Sequence, residues 1–223
     1  MLLRDKRNEG RKQVRLLTVL MIAVGVRIPV AVDLTAAESF TLSCQSIRSN
    51  TTARDLATRF GVTNVTDGPV DVGEGLYEAG TIVHPDIPEQ RAEFTWKLSG
   101  PNRSPDVVRI RGEKSVWKIP GGVTLGLTLT MVERLNRRPF RLLGFGWDDG
   151  GTTTSWSRGA LAQAESPTCA IWAKFGEAEE GRLTPVELRL LRQVNGEREF
   201  SSGHPGMQAA RAHVLEIGLS WRP

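Results

Sequence analysis

Strict alternation of apolar and polar residues constrains this chain most. Across 91–98, Ala92, Phe94, Trp96 and Leu98 alternate with Arg91, Glu93, Thr95 and Lys97. A side-chain period of two belongs to a strand with one buried face. The end of the chain repeats the pattern, with Leu215, Ile217, Leu219 and Trp221 on one predicted face. Shorter strand-like runs lie at 76–83, 106–111, 115–119, 140–145, 151–157, 160–164 and 168–175. So many half-buried strands need an apolar cover, which short amphipathic helices between them can supply. The fold class read from this pattern is α+β with antiparallel sheet.

Two helices are marked by their starts. Thr52 precedes ARDLATRF, Asp55 stands in the first turn, Leu56 and Phe60 form an i, i+4 apolar pair, and Gly61 offers a left-handed stop. Thr128 precedes LTMVERLN, and Arg137-Arg138-Pro139 ends it, because a residue before proline leaves the helical region. Placing Thr52 on Thr128 gives an offset of 76 residues and a tandem pattern of helix followed by strands. On that reading 38–120 forms a first repeat and 121–223 a second, within one compact unit. Residues 66–75, rich in Gly, Asp and Pro, read as a loop. Thr184-Pro185 starts either a helix through Leu191 or a strand carrying Val186, Leu188 and Leu190. Asn195-Gly196 marks a turn, and 204–211 a short helix.

Charge is concentrated at the start. Of 29 Lys and Arg and 25 Asp and Glu, seven bases and three acids precede Glu38, which leaves equal numbers in the remainder. Residues 1–37 read as an export leader: a basic stretch to Arg15, then the uncharged LLTVLMIAVGV, too short to span a bilayer comfortably. Ala31, Ala36 and Ala37 offer small residues for cleavage, and an uncleaved anchor is the alternative. Without the leader the chain is electrically neutral, which argues against nucleic-acid binding and leaves no stable membrane span. The expected location is periplasmic or secreted. Cys44 and Cys169, both beyond the leader, are an even pair in an exported chain and read as a disulfide rather than two separate buried thiols.

The string GVTLGLTLTMVERLNRRPF, with Gly126, Thr128, Val132, Leu135 and Pro139, resembles the helix-start pattern of the SmpA/OmlA and beta-lactamase-inhibitor-like fold group. The stretch RPFRLLGFGWDDGGTTTSW also looks like exported bacterial proteins with no assigned activity. The resemblance covers about a quarter of the chain. It implies tandem helix-plus-antiparallel-sheet repeats and a role in protein–protein interaction in the cell envelope. Arg137 stands where that group commonly has Gly, and Met131 where it commonly has an acid; no functional residue carries over.

The densest chemical cluster is Phe145-Gly146-Trp147-Asp148-Asp149-Gly150-Gly151. An aromatic ring beside two carboxylates could grip a sugar, a cation or a basic peptide. The plainer reading is a hairpin turn, for which Asp-Gly is a strong signal. Adjacent residues in extended chain point to opposite sides, so Asp148 and Asp149 do not read as a catalytic pair. Phe145, Trp147, Asp148 and Asp149, with Arg137, Arg138 and Arg141, are the candidate contact residues for an envelope protein. A periplasmic carbohydrate-binding module or a hydrolase using the same loop is the alternative. No cofactor is expected: Gly144-Phe145-Gly146 and Gly73-Glu74-Gly75 lack the third glycine of a dinucleotide fingerprint. His84, His204 and His213 have no metal-ligand spacing. Of the six tryptophans, Trp96 and Trp221 read as core and Trp147 as the surface candidate.

Overall fold

The computed structural model describes residues 40–97 and 104–222, all within one compact unit. The leader, and Leu98 of the alternating run, lie outside the described residues. The architecture is α+β and antiparallel. A six-stranded sheet has the order β1-β2-β3-β4-β11-β9, with β1 at Val65–Gly73, β2 at Leu76–Val83, β3 at Ala92–Trp96, β4 at Pro105–Arg111, β9 at Cys169–Gly176 and β11 at His213–Trp221. Three strands, β7 (Arg141–Leu143), β8 (Thr153–Ser155) and β10 (Glu199–Ser201), form a second sheet. β5 (Lys118–Ile119) pairs with β6 (Val123–Thr124). Among the described residues four α-helices complete the set: α1 (Ala53–Phe60), α2 (Leu129–Asn136), α3 (Pro185–Leu191) and α4 (Pro205–Ala209).

The helix starts form as their chemistry dictates. Thr52 accepts from the Asp55 amide at 3.2 Å while the Asp55 carboxylate accepts from the Thr52 amide at 2.8 Å, a closed capping box. Thr184 and Glu187 do the same for α3, with Pro185 as its first residue, so 184–191 is helical rather than extended. α2 spans the predicted eight residues behind its Thr128 cap. It ends on Arg137 in the left-handed conformation, φ 62°, where glycine is usual.

One face of the large sheet is the core face. Phe94, Val108, Ile110, Ile171, Ala173, Ile217 and Leu219 are buried there, in one cluster with Leu56 of α1, Val132 of α2, Phe140, Trp117 and Trp156. The buried indoles keep their N–H groups bonded. Trp117 donates to the Gln90 carbonyl and Trp156 to the Ile171 carbonyl, both at 2.8 Å, and Trp96 to the Thr81 hydroxyl at 3.0 Å. Trp96 and Trp221 are buried as expected, at 7% and 6% exposure. Cys44 is bonded to Cys169 at the start of β9.

Three local expectations are corrected. Residues 66–75 are not a loop: most of them form β1, paired with β2 from Val65↔Val83 to Gly73↔Leu76. Its Gly, Pro and Asp residues are tolerated because β1 is an edge strand, where a missing N–H costs no ladder bond. Residues 160–164 form a turn of 3-10 helix rather than a strand. Leu215 does not share the buried face of Ile217, Leu219 and Trp221. A bulge between Val214 and Glu216 opposite β9 turns Val214 inward and leaves Leu215 42% exposed.

Candidate binding cleft

The other face of the large sheet is open and polar. Its residues are the out-of-core half of each alternating strand, and the antiparallel register sets them in rows. Glu93, Arg109, Gly218 and Trp172 face one another across β3, β4, β11 and β9. The next row holds Arg111, Glu216 and Lys174, and the row on the other side Val107, Ser220 and Ala170. The tip of the β1–β2 hairpin stands at one end of this face and the turn 148–152 with β8 at another, enclosing a cleft of about 810 Å³. That volume suits a small ligand or a few residues of a peptide.

The floor is sculpted by a glycine. A Cβ at Gly218 would collide with the Trp172 indole and the Val108 carbonyl, so the absence of a side chain lets the ring lie down across β11. Arg111 is bound on three sides, to Glu216 at 3.2 Å and to Asp71 and Glu93 at 3.6 Å. Arg109, half-buried on the same strand, has no hydrogen-bond or ion-pair partner among the described residues. Glu165 also lines the cleft; burial pushes its carboxyl above the usual range, against a 3.3 Å hydrogen bond from the Ile171 amide and the nearby charge of Arg222, which both lower it. Counting all lining groups, six carboxylates (Asp71, Glu74, Asp148, Asp149, Glu165, Glu216) meet three cations (Arg109, Arg111, Lys174). The cleft therefore carries an excess of negative charge.

The predicted contact residues divide. Asp148 and Asp149 are exposed and both line the cleft, because the segment turns here instead of running extended. The Gly150 amide donates to the Trp147 carbonyl at 2.9 Å and the Thr152 amide to the Asp149 carbonyl at 3.2 Å. The loop is thus the hairpin turn between β7 and β8 as well as a wall of the cleft. Trp147 is half-buried, its indole N–H donating to the Gly144 carbonyl at 3.0 Å. Phe145 is 1% exposed and lies in the core, where it anchors the loop from beneath. Arg141 is committed to Glu199 at 3.0 Å, and that carboxylate is held below its usual range by the Thr154 hydroxyl and then by Arg141. Arg137 and Arg138 are exposed at the end of α2 and do not line the cleft.

Arg109, Trp172, Lys174 and Glu165 were missed by the sequence reading. Each is an ordinary out-of-core residue of its own segment, and only the pairing of β11 between β4 and β9 gathers them. Among the described residues, no three His, Cys, Asp or Glu side chains cluster as a cation site, and no helix is long and apolar enough to cross a membrane. No family model, curated protein or solved structure matches the chain.

Proposed function

We propose that this chain is an exported protein of the cell envelope that acts by binding another protein, with the cleft on the open face of the large sheet as its recognition surface. The observation that carries the reading is the pairing of an acid-rich cleft with bare apolar side chains beside it. Leu76 and Tyr77, at the tip of the β1–β2 hairpin, are 60% and 67% exposed, and Leu76 lines the cleft itself. An exposed Tyr next to an aliphatic residue is the kind of anchor that dominates protein interfaces, and the surrounding carboxylates suit a partner segment rich in Lys or Arg. Export is supported by the leader sequence and by the Cys44–Cys169 bridge, a bond that oxidising compartments retain. The tandem arrangement of 38–120 and 121–223 is part of the same proposal. Its support is that α1 and α2 have equal length and start behind Thr52 and Thr128, although strands of both halves share one sheet.

The test is cross-linked capture from an envelope fraction with the tagged chain. Leu76→Ser with Tyr77→Ser, and separately Asp148→Asn with Asp149→Asn, should each lower recovery of a discrete partner at least tenfold. Arg189→Glu with Arg192→Glu, on the far helix α3 and its extension, should leave recovery unchanged. Equal recovery with all three variants overturns the cleft as the binding surface.

A second reading rests on Trp172. An indole laid flat over Gly218, beside Arg109 and the hydroxyls of Thr152, Thr154 and Ser220, is a platform on which a sugar ring can stack. It moves the carbohydrate alternative from Trp147 to the cleft floor. A glycan panel read by tryptophan fluorescence decides it: a response that Trp172→Ala abolishes supports the reading, and a flat panel removes it.

A further inference from the structure

Outside the cleft, exposed arginines without carboxylate partners gather at the C-terminal end of α2. The helix buries Leu129, Val132 and Asn136 and turns Met131, Arg134 and Leu135 outward. Met131 is 46% and Leu135 37% exposed, one turn apart on the same side, with Arg134 between them in sequence. Arg137 and Arg138 follow at once, both exposed. A sixth residue of the patch arrives from elsewhere in the chain. The Asn136 amide donates to the Arg138 carbonyl at 2.9 Å and to the Trp156 carbonyl at 3.0 Å, while its carbonyl accepts from the Leu161 amide at 3.2 Å. Those bonds hold the 156–161 turn against the helix end, and Arg158 projects from that turn, exposed and left-handed at φ 58°.

Arg134, Arg137, Arg138 and Arg158 have no side-chain hydrogen bond or carboxylate partner among the described residues. The nearest acid of the helix, Glu133, is turned inward to accept from the Ser202 hydroxyl. Four exposed arginines thus share the end of α2 and the adjoining turn with two bare apolar side chains.

We infer that this face, Met131, Arg134, Leu135, Arg137, Arg138 and Arg158, seats the protein on an anionic phospholipid surface. Charge complementarity supplies the attraction: each arginine near such a surface contributes about a fivefold gain in partitioning. The two apolar side chains choose among polyanions. They can enter the headgroup–acyl boundary of a bilayer, as the apolar face of an interfacial helix does, whereas nucleic acid or an acidic protein loop leaves them in water. The remainder of the chain beyond the leader has balanced charge, so the attraction is local and oriented. None of the six residues lines the cleft, which stays open to a partner.

The experiment is co-sedimentation of the full chain with vesicles of phosphatidylglycerol mixed with phosphatidylcholine, against pure phosphatidylcholine. All variants keep the leader, so its own affinity is common to them. Arg134→Glu with Arg138→Glu should reduce binding to the anionic vesicles at least about 25-fold, by two lost contacts. Arg189→Glu with Arg192→Glu, the same change of net charge elsewhere, should leave it within about twofold. Met131→Ser with Leu135→Ser should weaken vesicle binding several-fold and leave binding to duplex DNA unchanged. All four sites are exposed, and unaltered thermal unfolding of each variant confirms the fold. Equal losses for the two arginine pairs overturn the inference, because the effect would then be one of net charge. So does an apolar pair whose replacement changes nothing, because the patch would then be a site for polyanions in general.

Discussion

His84 is the residue whose environment fits its chemistry least. It is 7% exposed, has φ 49°, and its ring lies 6.2 Å from Phe40 and 5.7 Å from Phe60. Its Nδ1 is buried with no hydrogen-bond partner. Burial lowers its pKa from the ordinary 6.5. In the unfolded chain the imidazole takes up a proton at a pH where the folded one still resists it. Stability is therefore fully present above about pH 6.5 and declines as pH falls from there toward the folded-state value. His84→Asn keeps a side chain that tolerates positive φ and removes the titration. Urea midpoints at pH 7.5 and pH 5 should differ more for the native chain than for the variant; equal differences would show that His84 carries none of the acid sensitivity. Glu199, Asp55 and Glu187 have lowered values, so their contribution is present above the ordinary carboxylate range and declines as pH falls from that range toward the lower folded-state values.

Between elements, Asn136 is the joint that ties the end of α2 to the segment leading into β7 and to the turn that follows β8. It is fully buried and all three of its hydrogen bonds go to backbone groups of other segments. Gly159 leaves the space for it, since a Cβ there would overlap the Asn136 amide. Asn136→Ala leaves the Leu161 amide and the Arg138 carbonyl without this partner, while the Trp156 carbonyl keeps the Gly159 amide, and should cost about 1–3 kcal/mol. Gly159→Ala should cost a similar amount by displacing the same amide, and the double variant little more than either alone. Denaturant unfolding of the three variants checks this, and additive losses would contradict a shared joint. The same scale explains what the amino-acid order revealed. α2 was legible because the Thr128 cap, the apolar spacing and Pro139 agree within one short window. β2 and the disulfide were legible for equally local reasons of pattern and number. β1 was not, because Pro69 and its neighbours signal a loop unless the strand is known to be an edge. Leu215 was misplaced because β11 carries one residue more than β9 at that point, a mismatch visible only once the two strands are paired. The cleft was half legible: Asp148 and Asp149 announced themselves as a polar loop, but Arg109 and Trp172 acquire meaning only once β11 is paired between β4 and β9, strands distant from it in the sequence.

For the molecule as a whole, the bridge between Cys44 and Cys169 closes the longest covalent loop available, with a separation of 125 residues. It fastens the first described segment, itself held by the Leu42 amide on the Lys118 carbonyl at 2.8 Å, to an edge strand of the sheet. Cys44→Ser with Cys169→Ser should lower stability by about 2–5 kcal/mol, measured by urea unfolding with and without reductant. A native chain indifferent to reductant would show that the bond adds nothing. The large sheet has a further consequence of order in time. Its last strand in sequence, β11, is not at an edge but sits between β4 and β9. Until those residues are present, β9 has no neighbour in the sheet and β4 is paired with β3 alone, so the two parts of the sheet stay unjoined. A polypeptide emerging from a ribosome or threaded through a translocation channel can therefore pair β1 to β4 early, but joins β9 to them only once residues 213–221 have emerged. Slow acquisition of structure follows from that geometry, and so does intolerance of even a short deletion within 213–221, which would remove the keystone rather than trim a border.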